Sequence, residues 1–104
     1  MDERLRLIEK FIRIHEIAAR DRDKLTGMTR DSRNHLVPQW VTHERSVMRD
    51  HVNIEREERG YSRIGSPTIA RIEDFASGHI DYAKKLAIGC AELALHPEGV
   101  WTPR

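Results

Sequence analysis

Apolar residues recur at three- and four-residue spacing over three stretches of the chain, and the breaks between them fall where Gly, Pro and small polar residues gather. The first stretch carries Leu5, Leu7, Ile8, Phe11, Ile12, Ile14, Ile17 and Ala18 with charges between them, which predicts a helix over residues 2–26 that stops at Gly27. Two parallel stripes, Leu7-Phe11-Ile14-Ala18 and Leu5-Ile8-Ile12, cover more circumference than one neighbour buries. This helix is therefore expected to lie between two partners.

The second stretch, 38–59, opens on Pro38, whose missing amide donor suits the first helical position. Trp40, Val41, Val47, Met48, Val52 and Ile54 form a narrow stripe, and the run Glu55 to Arg59 reads as a solvated charged turn before Gly60. The third stretch, 66–95, starts at Ser66-Pro67, a capping serine followed by a proline, and stops at His96-Pro97. Its stripe runs Ile69, Ile72, Phe75 or Ala76, His79, Ala83, Leu86, Cys90, Leu93. Gly78 and Gly89 lie inside it, each costing about 1 kcal/mol of helix propensity, so a kink or break is expected near Ser77-Gly78 if anywhere. Ala83, Ala87, Gly89, Cys90, Ala91 and Ala94 form a small-residue face that lets another helix approach closely. No segment of four or more residues shows strand alternation. The economical architecture is an all-α, three-helix up-down-up bundle forming one domain over 1–104, with a tail at 96–104 that Trp101 docks.

The chain has 104 residues, 38% hydrophobic and 34% charged, enough for one thin core and no second domain. A formal charge of +1 excludes binding driven by the charge of the whole surface, so any nucleic-acid contact needs a local patch. A single cysteine, Cys90, excludes an internal disulfide. No run approaches the roughly 18 apolar residues of a membrane span, and Met1 to Arg4 alternates charge where a secretion signal is apolar. A cytoplasmic protein without a membrane partner is expected.

Six histidines raise the question of a metal. His15, His51 and His79 each fall on or near one helical stripe, so facing stripes would bring three imidazoles together as in zinc or iron sites, with Glu55 one turn beyond His51. Against this, no His-Glu-x-x-His, Glu-x-x-His or Cys-x-x-Cys pattern occurs. Cys90 sits among alanines, the serines lack an elbow motif and no phosphate loop is present, so no enzyme is expected and no cofactor is called for.

Two binding readings remain. Ser66 to Glu73 has the small-polar opening and Ile-x-x-Ile pattern of a helix-turn-helix recognition helix, resembling the phage-repressor type, with Arg63, Thr68, Arg71, Lys84 and Lys85 placed to contact DNA. The acidic run Glu55 to Glu58 beside it repels phosphate. The other reading is a protein-interaction module. The wide apolar first helix and the small-residue face exceed what this core covers, which predicts a homodimer and a protein partner. Trp40, Tyr61, His79, Tyr82 and Trp101 are the residue types that anchor interfaces.

The block Phe75 to Lys85, continuing through Ala91 to Leu95, resembles the C-terminal helix of short helical proteins encoded by bacteriophages and mobile elements. The likeness covers about a fifth of the chain and transfers no functional residue. It implies a regulator or inhibitor that works in the host cytoplasm by binding a protein. On both grounds the expectation is a small non-enzymatic binding module.

Overall fold

A computed structural model describes residues 2–103. Among the described residues there are four helices and one small hairpin: α1 Glu3–Ala19, β1 Met28–Arg30, β2 Leu36–Pro38, α2 Gln39–Glu58, α3 Ser66–Ala76 and α4 Tyr82–Leu95, with a 3₁₀ turn at Arg22–Lys24 after α1. The protein is mostly helical, as expected, but it is not a simple three-helix bundle. No helix is long and apolar enough, among the described residues, to cross a membrane.

Asp2 caps α1, its carboxylate accepting from the Arg4 amide, and Leu7, Ile8, Phe11, His15 and Ala18 are buried in the expected three-and-four rhythm. Helix α1 packs against both α2 and α4, so its wide apolar surface does meet two neighbours. It ends at Ala19 and does not reach residue 26. The chain turns there into the 3₁₀ segment, where Arg22 reaches across to Glu44 of α2.

The strands are the larger surprise. At three residues each they are too short for alternation to be seen in sequence. They pair antiparallel in the register Met28↔Pro38, Thr29↔Val37 and Arg30↔Leu36. The loop is set by Asp31, whose Oδ1 accepts the amides of Arg33 (2.9 Å) and His35 (2.8 Å), and by Asn34 in the left-handed region at φ 62°. Pro38 closes β2 and caps α2, one position before the expected helical site.

The predicted third helix is two helices. Ser77 closes α3, and after Gly78 the chain restarts at Asp81, whose carboxylate accepts from the Lys84 amide. Gly65, and not Ser66, is the cap of α3. The break folds α3 back onto α4, and it explains the small-residue face. A β-carbon at Gly89 would lie 2.4 Å from Ile72 Cγ2 and 3.3 Å from Trp101 Nε1, so the space is filled by this chain's own α3 and tail. The surplus apolar face expected on α4 is thus covered internally. Leu7, Phe11, Met48, Val52, Ile69, Ile72, Leu86 and Leu93 form the centre of the core.

Candidate functional site

Helix α2 buries charge where an apolar stripe was expected. Val47 is half-buried and Ile54 is exposed, whereas Glu44, Arg45, Met48, Val52, Asn53, Glu55 and Arg56 face inward. Two Glu-Arg doublets therefore occupy core positions, and the reading of Glu55 to Arg59 as a solvated turn is corrected for its first two residues, Glu55 at 2% exposure and Arg56 at 0%.

The second doublet is closed by protein groups. Glu55 pairs with Lys10, with Arg59 at 3.1 Å and with Arg6 at 3.5 Å, tying α2 to α1. Arg56 meets no carboxylate among the described residues. It donates to the carbonyls of Ser62 (2.7 Å), Leu93 (2.7 Å), His96 and Pro97 (3.2 Å), so the guanidinium caps the C-terminal end of α4, where the helix dipole favours a cation.

The first doublet borders a cleft of about 600 Å³ between the hairpin, the first half of α2, the end of α3 and the start of α4. Leu36, Val37, Trp40, Val41 and Tyr82 supply its apolar and aromatic surface, while Arg22, Arg33, Glu44, Arg45, Glu73 and Asp74 supply charge. Arg22 forks onto Glu44, Nε to Oε2 at 2.7 Å and Nη2 to Oε1 at 2.9 Å, with its guanidinium 4.3 Å from the Trp40 ring centre. Arg45 donates twice to Glu73 Oε1, at 3.0 and 2.7 Å, and once to Asp31 Oδ2 at 3.1 Å. Arg33 joins Asp74 at 2.9 Å. His15 Nε2, sealed from solvent, lies 3.3 Å from Glu44 Oε1 but off the line of a hydrogen bond, and its ring tilts against Tyr82 at 5.8 Å.

These contacts move the carboxyls in opposite directions. Burial alone would raise Glu44, and the Arg22 fork with His15 outweighs it, leaving Glu44 lowered. Burial likewise works against the ionised Asp31, but the His35 amide, the Arg45 guanidinium and the Arg33 amide hold it at about 2. Glu73 is the exception: burial dominates, Arg45 only partly offsets it, and the net shift is upward. Burial also pushes the Tyr82 hydroxyl up, with Glu73 and Glu44 adding to the effect.

The residues expected to bind a partner are dispersed. Trp40 and Tyr82 share the cleft. Trp101 is buried at 6% exposure, edge-on to Phe75 at 5.7 Å, so it anchors the tail within the core. Tyr61 packs beneath Arg56, 5.4 Å from its guanidinium. His79 is exposed in the α3–α4 connection, its Nδ1 3.0 Å from the Phe75 carbonyl.

For the nucleic-acid reading, Thr68 lies in the first turn of α3 and Arg71 is exposed beyond it, while Arg63 in the preceding loop is paired with Glu57. Lys84 and Lys85 belong to α4, a separate helix. The connection from α2 to α3 spans residues 59–65, longer than the roughly three- to four-residue turn of a helix-turn-helix unit.

The three histidines of the metal reading are not brought together. His15 is beside Glu44, His51 lines a groove between α1 and α2, and His79 lies in the α3–α4 connection. No group of three or more His, Cys, Asp or Glu side chains among the described residues is arranged to hold a metal ion.

Sequence reasoning missed Arg22, Arg33, Glu44, Arg45 and Glu73. The signal for the α2 members was present: positions 41, 44, 45, 48, 52, 55 and 56 keep helical spacing once charged residues are admitted to the inward face. No family model, no curated protein and no solved structure matches this chain.

Proposed function

We propose that this protein is a small non-enzymatic binding module, of the regulator or inhibitor kind, that works in the cytoplasm by engaging a protein partner through the cleft beneath the hairpin. The observation that carries this reading is the cleft itself, about 600 Å³ with two aromatic walls and a network of ion pairs holding its floor. The groups of this floor are fixed by one another, which is what a recognition surface needs in order to bind without reorganising. Leu36 stands exposed at the rim, where a partner would cover it. Cys90, the lone thiol, is fully buried and burial pushes its pKa far up, which suits packing and not nucleophilic work.

A second copy of the chain belongs to the same reading. Ile14, Ile17 and Val47 line a separate groove of about 310 Å³ between α1 and α2, away from the cleft. A homodimer through this face would leave both clefts open.

A photo-reactive amino acid placed at Leu36, at Thr68 and, as a third site, at Val47 tests these assignments in the cell that expresses the protein. The reading expects a protein adduct from position 36 that is lost when Trp40 is replaced by Ala, and a self-adduct from position 47. Nucleic-acid adducts from position 68 with none from position 36 would overturn it in favour of DNA binding.

A further inference from the structure

We infer that the cleft takes a monovalent organic cation, an alkylammonium or guanidinium group, seated against Glu73 between the Trp40 and Tyr82 side chains. The inference rests on the cleft being the binding surface and names the chemistry of what enters it.

The cations of the floor are engaged: Arg22 spends its fork on Glu44, and Arg45 spends Nε and Nη2 on Glu73 and Nη1 on Asp31. Arg33 gives Nη1 to Asp74, and its Nε, 3.6 Å from Asp31, is sealed from solvent and closed to a ligand. The carboxylates are not all engaged. Both guanidinium bonds to Glu73 fall on Oε1, so Oε2 accepts no hydrogen bond among the described residues, and neither does Asp74 Oδ1. Arg22, Arg33 and Arg45 face Asp31, Glu44, Glu73 and Asp74, one carboxylate more than guanidinium. Asp31 lies outside the cleft lining but shares Arg45 with Glu73, so the one guanidinium that faces Glu73 is divided between two carboxylates.

Burial sharpens the point. The Glu73 side chain is only 13% exposed, so its charge is poorly solvated, and burial raises its pKa in agreement. A cation entering the cleft supplies the missing counter-charge. The walls suit the same ligand: the Trp40 ring already takes one cation, the Arg22 guanidinium, and the Tyr82 hydroxyl, which has no hydrogen-bond partner among the described residues, accepts from an N–H donor. An anion would meet the free carboxylate oxygens, and guanidiniums that each already face a carboxylate.

The test is a titration of the whole protein, followed by two-dimensional amide and indole NMR, with n-butylammonium, with N-acetyl-arginine N-methylamide and with acetate. Saturable shifts at the Trp40 indole with either cation, and none with acetate, are expected. Glu73→Gln keeps an acceptor for Arg45 but removes the charge, and should weaken cation binding about tenfold or more. Tyr82→Phe, which breaks no internal bond, should weaken it by a smaller factor and guards against a Glu73→Gln protein that fails to fold. Absence of saturation with both cations, equal affinity in Glu73→Gln and wild type, or acetate binding as tightly as the cations would each overturn the inference. Tighter binding of the blocked arginine than of butylammonium assigns the cation to a partner's side chain. Binding of butylammonium alone keeps the cation site and overturns the protein partner. A position-36 protein adduct with no cation response does the reverse.

Discussion

The two Glu-Arg doublets of α2 share a helix face and differ in what completes them. Glu55 and Arg56 are surrounded by protein: a basic cluster from α1 and the end of α2 on one side, four carbonyls from two chain segments on the other. Glu44 and Arg45 are held with equally good geometry, yet the network they belong to ends in Glu73 and Asp74 at an open cleft. A buried charge is costly unless paired, so both doublets need their partners. Only the Glu44-Arg45 network leaves acceptors facing space that a ligand can enter. Burial of charge alone therefore does not mark a site; burial with unused valence beside a cavity does.

Removing the cation from each doublet sharpens this contrast most. Arg56→Ala leaves the carbonyls of Ser62 and Pro97 without their donor, takes one of two donors from Leu93 and His96, and opens a void between α2 and α4, at a cost of about 3 kcal/mol or more. Arg45→Ala strands Glu73 and Asp31, but water entering the cleft solvates Glu73 and the amides of Arg33 and His35 still hold Asp31, so the loss should be about 1–2 kcal/mol. Urea denaturation of the two variants gives the order directly. Equal losses would mean that the cleft is as closed to water as the Arg56 site.

Next in size is a test of the packed half alone. Gly89→Ala gains roughly 1 kcal/mol of helix propensity, but its β-carbon would meet Ile72 Cγ2 at 2.4 Å, and overpacking costs about 1–3 kcal/mol. A net loss of roughly 1 kcal/mol in thermal or urea unfolding is expected. A stabilised variant would show that α3 yields readily and that the junction is looser than the closed doublet beside it.

Acid separates the carboxyls by sign. Asp31, Glu44 and Glu55 are held below their ordinary range, so the stability they contribute is complete above about pH 5 and is lost as the pH falls through their lowered values, at about 2 for Asp31. Glu73 is raised, so its contribution has the opposite sign: it favours the fold below its unfolded value and is lost as pH rises through the folded one. Stability should fall overall on acidification, and more steeply in Glu73→Gln, where the offsetting group is gone. Denaturation at a series of pH values compares the slopes, and an unchanged slope would mean that Glu73 is solvated like a surface residue.

How far the sequence went follows from the same chemistry. The spacing of Leu7, Phe11 and Ala18, the stop at His96-Pro97 and the weak point at Ser77-Gly78 were readable because they depend on neighbours in the chain. The hairpin was not, since its short strands are held by one Asx loop and a left-handed Asn34. The candidate site was legible only in Trp40 and Tyr82. Glu44 and Arg45 looked like solvent-facing charge because their partners, Arg22, Asp31 and Glu73, lie elsewhere in the sequence, and hydropathy carries no record of pairing. Trp101 failed in the other direction: an aromatic residue near the tail suits an interface as well as a core, and the choice was made by the space over Gly89 that the α3–α4 break left for it.

The smallest expected effect tests the open doublet most cleanly. Tyr82 lines the cleft, and its hydroxyl makes no hydrogen bond within the described chain. Tyr82→Phe removes one oxygen and no internal partner, so the unfolding free energy should stay within about 0.5 kcal/mol of wild type. A hydroxyl held for folding would instead leave a stranded partner and cost about 1–3 kcal/mol when removed. Near-neutral stability together with weakened cation binding would mean that the hydroxyl serves whatever enters the cleft, whereas a loss as large as that of Arg45→Ala would place Tyr82 in the closed framework and erase the difference between the two ends of α2.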